Sequence, residues 1–334
     1  MAPIRPWLAR HLVCPRDKRR LMVRSESLAC DANHEYRVVD GIPILLLAEA
    51  SQTHPAAFRS LEAAAESDHS AQDSCQTAPG HVDPFVQAEI VGTNGLMFRS
   101  LRGRLPDYPI PTLRLPPVKD GAASLLDLGC GWGRWCVAAQ RLGYRAIGID
   151  SSLEAIRAAY RVSRQLGVDA CFVVGDVRFL PFPDRLFDVV FSYSVLQHFS
   201  KTDAQAAVAE ASRTLKPGGQ AVIQMANAFG FRSIYHQLRR GFRQEREFEV
   251  RYWRPGELRT TFASLIGPSD VTADGYFSLN PQPNEAHMLP VPFRAVVAAS
   301  ETLRTLSMHG MPITWLADSL YVRATKSRDD RGAR

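Results

Sequence analysis

The sequence predicts an α/β fold, a largely parallel sheet with helices on both faces, preceded by a small β-rich unit. Three observations carry the prediction. Short apolar runs alternate with helical segments between residues 124 and 225, the pattern of βαβ units. A glycine turn, Gly129-Cys130-Gly131-Trp132-Gly133, joins the first run to the first helix. Acidic residues, Asp150 and Asp176, stand at the ends of the next two runs.

Leu125, Leu126 and Leu128 read as a short buried strand with Asp127 near its tip. Glycine permits positive φ and lets a ligand approach the backbone closely, and a turn between a parallel strand and a helix is where doubly wound folds hold nucleotides. Alone, such a run is only a strand–helix turn. Its spacing adds information. Dinucleotide sites use G-x-G-x-x-G, whereas this run is D-x-G-x-G-x-G, with Arg134 in the place of the third dinucleotide glycine. An acid two positions before the first glycine repels a pyrophosphate and attracts an ammonium group.

The following elements arrive in order. Residues 134–142 form a helix ended by Gly143, and 144–149 alternate toward a second strand closed by Asp150. Asp150 lies 21 residues beyond Gly129, the distance at which an acid meets ribose hydroxyls. Ser151 and Ser152 are N-cap candidates for a helix over 153–166, with Glu154 in its first turn. Strand three spans 170–174, strand four 187–192, and Leu215-Lys216-Pro217-Gly218-Gly219 turns into strand five at 220–225. Residues 271–279 suit strand six, 293–306 a helix and 315–324 a final strand.

These motifs and intervals resemble those of class I S-adenosylmethionine (SAM)-dependent methyltransferases, of the broad type that includes quinone methyltransferases. SAM carries an ammonium group and no phosphate. The resemblance covers about residues 84–325 and implies a Rossmann-like seven-stranded sheet whose last strand is antiparallel. It implies cofactor contacts at Asp127, Gly129, Gly131, Gly133, Arg134, Asp150, Ser151, Asp176, Val177 and Ser192, with Asp176 taking the adenine amine. S-adenosylhomocysteine is the implied product.

Methyl transfer from a sulfonium is an in-line displacement, so alignment and removal of a proton are the protein's tasks. His198, on the turn after strand four, is the candidate base, because imidazole titrates near neutrality; a structural histidine is the equal alternative. Tyr193 is the second catalytic candidate. Substrate candidates are Tyr108, Gln197, Gln224, His236, Arg251, Tyr252 and Trp253, with Arg114, Asn227 and His287 more weakly supported. The insert at 231–254 holds seven arginines against three glutamates, interleaved with aromatic rings. It suits an anionic or planar acceptor, or single-stranded RNA, unless it is only a solvated face.

Residues 12–47 resemble the zinc-ribbon activator that partners tRNA and rRNA methyltransferases, including the closing Tyr36…Asp40-Gly41-Ile42-Pro43. That family's knuckles read C-P-x-C and C-x-x-C. Here Asp17 follows Cys14 where a thiolate belongs, and Asn33 then His34 follow Cys30. Cys14, Asp17, Cys30 and His34 can be combined into one ligand set, but aspartate is a poor structural zinc ligand. The expectation is packing without zinc, with no metal ligand assigned, and docking on the larger domain.

The expected organisation is a ribbon-like domain at 1–48, a linker at 49–82 with a short helix in its alanine-rich part, a cap at 83–120, the methyltransferase domain at 121–325 with a substrate insert at 228–266, and a disordered tail at 326–334. The chain has 334 residues, 46% hydrophobic, enough for a full core. No apolar run approaches the about 18 residues of a membrane span. Six scattered cysteines and no secretory signal suggest the cytoplasm. The +6 charge permits an anionic partner without demanding one. The expected function is methylation of a hydroxyl on a small molecule or saccharide. An RNA- or protein-directed methyltransferase and a non-catalytic SAM-binding scaffold are the alternatives. A small-molecule acceptor is the expected partner, with nucleic acid and a second copy of the chain left open, and no membrane.

Overall fold

The computed structural model describes residues 4–52, 54–66, 81–277, 280–309 and 312–328. Among them, eleven strands make one sheet: β1 (Met22–Val23), β2 (Ser27–Ala29), β3 (Glu35–Val39), β4 (Ile42–Leu45), β5 (Ser124–Leu128), β6 (Arg145–Asp150), β7 (Cys171–Gly175), β8 (Phe187–Ser192), β9 (Leu215–Ala226), β10 (Ser269–Gly275) and β11 (Ser319–Thr325). Their order is β1-β2-β3-β4-β7-β6-β5-β8-β9-β11-β10. From β7 to β9 neighbouring strands are parallel, and β11 runs antiparallel between β9 and β10. The last seven strands in that order are the class I methyltransferase sheet. Successive strands leave β5 in opposite directions, opening a crevice at the carboxyl ends where such sheets hold ligands.

The helices are α1 (Pro6–His11), α2 (Pro55–Ala65), α3 (Pro84–Asn94), α4 (Arg134–Arg141), α5 (Leu153–Gln165), α6 (Lys201–Thr214), α7 (Phe231–Arg239), α8 (Pro255–Leu265) and α9 (Val291–Ser307). Strand periodicity divides the core into two layers. Leu126 and Leu128 face the layer that includes α6 and α8, while Leu125 faces the layer beneath α2, α3, α4 and α5. Fully burying leucines such as Leu126 contributes about 2 kcal/mol each.

The N-terminal hairpins extend this sheet. β4 pairs in parallel with β7, Ile44 against Val174 and Leu45 against Gly175. Val13 N donates to Pro181 O at 3.0 Å, and Lys18 Nζ reaches Leu180 O and Glu210 Oε2. The chain then crosses the crevice as α2, where Ser60 Oγ donates to Ser151 O and accepts from Leu153 N. The alanine-rich part of the expected linker is thus a packed helix; residues 53 and 67–80 lie outside the described residues.

Four boundaries differ from the sequence-based expectation. Strand five begins at Leu215 rather than 220, so the expected turn 215–219 is part of β9, which pairs Leu215 with Phe187 before a register shift to Gln220 opposite Val189. Strand six ends at Gly275, after a register shift beyond Ala273; residues 278 and 279 are outside the description. The final strand begins at Ser319 because Asp318 accepts from the backbone of Arg232, Ser233 and Phe277, turning the chain there. Lys326, expected in the disordered tail, is buried and donates to Ser212 O and Leu215 O, while 329–334 are outside the described residues. No described helix is long and apolar enough to cross a membrane.

Candidate functional site

The glycine turn is locked to the tip of β6. Gly129 N and Cys130 N both donate to Ile149 O, at 2.8 and 3.0 Å, and Gly131 N donates to Asp150 Oδ2 at 2.9 Å. Gly129 has φ +71°, and a Cβ there would sit 2.4 Å from Val195 Cγ2. Gly133 has φ +84°, and a Cβ would press on Phe172 at 3.0 Å. The first glycine therefore lets the wall of the crevice close, and the last lets α4 pack on the sheet. The amino end of α4, with its partial positive charge, adjoins the resulting cavity.

The cavity is about 350 Å³, within the range of small-molecule sites. Of the expected cofactor residues, Gly129, Gly131, Arg134, Asp150, Ser151, Asp176 and Val177 line it. Asp150 bridges Gly131 N and Ser152 N, and burial holds its carboxyl above the ordinary range against those donors. Asp176 is buried and gripped through both oxygens by Arg178, whose other end reaches Asp203 and Ser51 O.

Arg134 is the least satisfied group at the site. Its side chain is buried, and none of its three nitrogens has a hydrogen-bond partner among the described residues. Glu285 Oε1 lies 3.7 Å away, too far for a hydrogen bond. Leaving buried charged donors unpaired costs several kcal/mol, so the arrangement is that of a cation awaiting an anion. Burial raises the Glu285 carboxyl, with Arg134 pulling the other way.

Three expected cofactor residues do not line the cavity. Asp127 is buried beneath the turn on the Leu125 face, away from the cavity wall. Burial pushes its carboxyl up to about 7, although the Cys136 thiol donates to it at 3.5 Å. Ser192 is fully buried, and its hydroxyl donates to Leu128 O, tying β8 to β5. Gly133 serves helix packing rather than the wall.

His198 does line the cavity. Its ring stacks on Phe248 at 4.0 Å, and Nδ1 is 2.8 Å from Phe248 O. A carbonyl oxygen only accepts, so the proton sits on Nδ1 and Nε2 keeps its lone pair. Burial drives the imidazole down to about 4, opposed by that hydrogen bond and aided by Arg251. The ring is therefore neutral at physiological pH. Tyr193 lines the cavity with its ring, but its hydroxyl donates to Asp274 Oδ2 at 2.8 Å and accepts from Gln282 Nε2 at 2.9 Å. Burial and Asp274 raise the phenol well above its usual range, which disqualifies it as a base.

Most expected substrate contacts prove structural. Gln224 accepts from Ser194 N and donates to Ser319 Oγ, and Gln197 donates to Ser194 Oγ. Together they hold Ser194, a wall residue, at φ +62°. Asn227 caps the loop after β9 through Trp315 O and Ala317 O. Tyr108 packs on Trp132 and bonds Asp83 N and Gln165, anchoring α3 rather than facing the cavity. Arg114 pairs with Glu301 and Asp274. His236 lies on α7 away from the cavity, and His287 bonds Asn284 O.

Three of the insert's arginines hold its own fold together. Arg251 donates to His198 O, Glu247 O and Glu249 O, so it anchors the insert to the histidine turn. Arg240 and Arg243 pair with Glu245 and Glu249, and Tyr252 lies beneath Arg240. Trp253 is buried under Lys201. Phe248 alone brings this insert to the cavity wall.

Residues on the wall that sequence reasoning missed include His54, Arg59, Glu89, Thr93, Trp135 and Phe248. His54 had a readable signal: histidine before proline, capping α2 by accepting from Ala56 N. The others become neighbours of the crevice only through long-range packing.

A crevice at a switch point, a glycine turn against an acid-tipped second strand, and this strand order define a class I methyltransferase site. Residues 125–219 match the methyltransferase domain family, and the chain carries a SAM-dependent methyltransferase domain. It is 28% identical over 175 residues to a ubiquinone biosynthesis O-methyltransferase of Bradyrhizobium sp. (strain ORS 278), covering 47% of this chain and 67% of that one. It is 34% identical over 97 residues to the uncharacterized methyltransferase YcgJ of Bacillus subtilis, covering 29% of this chain and 38% of the relative. The chain thus spans only part of the curated relatives it matches. A solved complex between the Haloferax volcanii Trm112 methyltransferase activator and a putative methyltransferase is 22% identical with a TM-score of 0.42, over 65% of this chain and 87% of that one.

Proposed function

We propose that the protein transfers a methyl group from SAM to a hydroxyl of a small, planar acceptor, with His198 receiving the hydroxyl proton. The observation that carries this reading is the His198 ring on the cavity wall, with Nδ1 committed to Phe248 O and Nε2 left as an acceptor. SAM supplies an activated methyl on its sulfonium. The residues fit it. The unpaired guanidinium of Arg134 offers its N–H groups to the methionine carboxylate, and Glu89 is the wall carboxylate on α3 available to the ammonium. Asp150 accepts from ribose hydroxyls, and Asp176 with Val177 bounds the adenine.

Trp135, Tyr193, Phe199 and Phe248 give the cavity flat apolar surfaces, which favour an aromatic hydroxyl over a saccharide. The names of some curated relatives point the same way, since they include ubiquinone biosynthesis O-methyltransferases and a 2-methyl-6-phytyl-1,4-hydroquinone methyltransferase of Synechocystis sp., although a malonyl-[acyl-carrier protein] O-methyltransferase stands beside them. With an acceptor and SAM both bound, His198 Nε2 would take the hydroxyl proton as the acceptor oxygen gains the methyl, while Arg134 and Glu89 would hold the methionine end of SAM. Alignment inside the cavity supplies most of the acceleration. Nucleic acid is a weaker reading because Phe248 alone brings the insert to the cavity wall, and Arg240, Arg243 and Arg251 are held by Glu245, Glu249 and backbone carbonyls.

The test is turnover with methyl-labelled SAM against panels of phenols, catechols, saccharides and RNA. Labelled product from a phenol or catechol supports the reading. Turnover confined to RNA or saccharides, or absent with every acceptor despite SAM binding, refutes it.

A further inference from the structure

The N-terminal unit gathers four side chains that the methyl-transfer site does not use. Cys14 and Asp17 lie on the loop after α1, and Cys30 and His34 on the turn between β2 and β3. Their ligand atoms all lie within 4.8 Å of one another. His34 Nδ1 stands 3.4 Å from Cys14 Sγ, 3.5 Å from Cys30 Sγ and 3.2 Å from Asp17 Oδ2. A ring nitrogen has one hydrogen or one lone pair, so hydrogen bonding accounts for only one of the three neighbours.

A cation among the four accounts for all of them. Metal–ligand bonds of about 2.3 Å to sulfur and about 2.0–2.1 Å to nitrogen or oxygen, at tetrahedral angles, place sulfur and nitrogen about 3.5 Å apart and nitrogen and oxygen about 3.3 Å apart. Those are the separations at His34. The Cys30 Sγ to Asp17 Oδ2 edge, 3.9 Å, is only slightly open. Tyr36 OH, 3.1 Å from Cys14 Sγ, adds the outer hydrogen bond that tunes a thiolate ligand.

The geometry points to a closed, structural site for a divalent ion of borderline softness, zinc above all, held by Cys14, Asp17, Cys30 and His34. This goes past the sequence-based expectation of packing without metal. Aspartate and histidine stand in for two thiolates, which lowers the ligand charge and makes release in mild acid easier than from a four-cysteine site. The ion clips the 14–17 loop to the β2–β3 hairpin, the body from which β4 extends to pair with β7.

Elemental analysis of the full chain after growth with zinc and desalting tests the site. About one equivalent is expected, falling below about a tenth in the Cys14→Ser/Cys30→Ser double variant. Because that variant risks misfolding, cobalt exchange of wild type and Asp17→Asn gives a second readout. Wild type should show thiolate charge-transfer and intense tetrahedral ligand-field bands. Asp17→Asn, with unchanged far-ultraviolet circular dichroism, should show shifted bands and lose metal to a chelator at least about tenfold faster. Folded wild-type protein holding less than about a tenth of an equivalent, with no cobalt bands, overturns the site. So does an Asp17→Asn spectrum identical to that of wild type.

Discussion

Asp127 offers a test in which stability and ligand binding separate. The carboxyl is fully buried, shares a face of β5 with Leu125, and titrates near 7 because of desolvation. In the unfolded chain it returns to about 3.8. A carboxyl raised on folding favours the folded state while it keeps its proton. Its contribution is complete below about pH 3.8 and is lost as pH rises through about 7, because the unfolded chain then releases a proton that the folded protein retains. At about 1.36 kcal/mol per pH unit, the whole swing is ~4 kcal/mol, of which about 2–3 kcal/mol falls between pH 5 and 8. Asp127→Asn keeps the shape and removes the titration. Urea unfolding of both proteins without SAM at several pH values should show the variant gaining about 2–3 kcal/mol on wild type across that interval. Parallel profiles, within about 0.5 kcal/mol, would refute the buried-carboxyl reasoning. Calorimetry on the same variant separates the two placements of this acid. A carboxyl behind the turn predicts SAM affinity within about threefold of wild type, whereas a direct ammonium contact predicts a loss of about tenfold or more.

Replacing Arg134 with Gln should weaken SAM binding by about tenfold or more in calorimetry, the value of a charge-assisted pair, while thermal stability is held or raised because buried donors without hydrogen-bond partners disappear and the Glu285 carboxyl, already raised by burial, can stay protonated. His198→Gln should lower kcat by about a hundredfold or more with SAM affinity unchanged. In wild type the acid limb of kcat should lie near pH 4, since a base whose imidazole is depressed stays unprotonated above that value; a limb near 6.5 would contradict the buried, neutral ring. Gly129→Ala forces a Cβ into Val195 at a left-handed backbone position and should cost about 2–3 kcal/mol of stability by denaturant titration. Full stability with full SAM affinity would mean that the turn is not so constrained.

The glycine turn, the acid at position 150 and the order of strands from β5 to β9 were legible because each depends on local backbone geometry. Positive φ needs glycine, and a helix needs a start. What lay beyond reading were side-chain destinations set by segments far apart in sequence. Gln224 and Ser192 sit on strands whose ends approach the crevice, yet β11 and β5 capture their polar atoms. Tyr108 is drawn off by Asp83 N and Gln165. Strand parity was available for Asp127, since Leu125 and Asp127 must share a face, and it points to α4 rather than to solvent.

The same distinction between local pattern and distant contact explains the closure of the crevice. The alanine-rich part of the linker reads as a short helix, but its anchorage does not: His54 caps α2, Ser60 bridges Ser151 O and Leu153 N, and Arg178 ties Asp176 to Ser51 O. The Ser60 and Ser51 contacts join this segment to the ends of β6 and β7, which bound the cavity, and the pairing of β4 with β7 carries the chain alongside them. The N-terminal unit therefore acts on the cofactor crevice through backbone continuity, with no residue before Gln52 on its wall. A disturbance of the 14–34 cluster should accordingly reach SAM affinity by loosening α2, and should leave the β5–α4 turn itself intact.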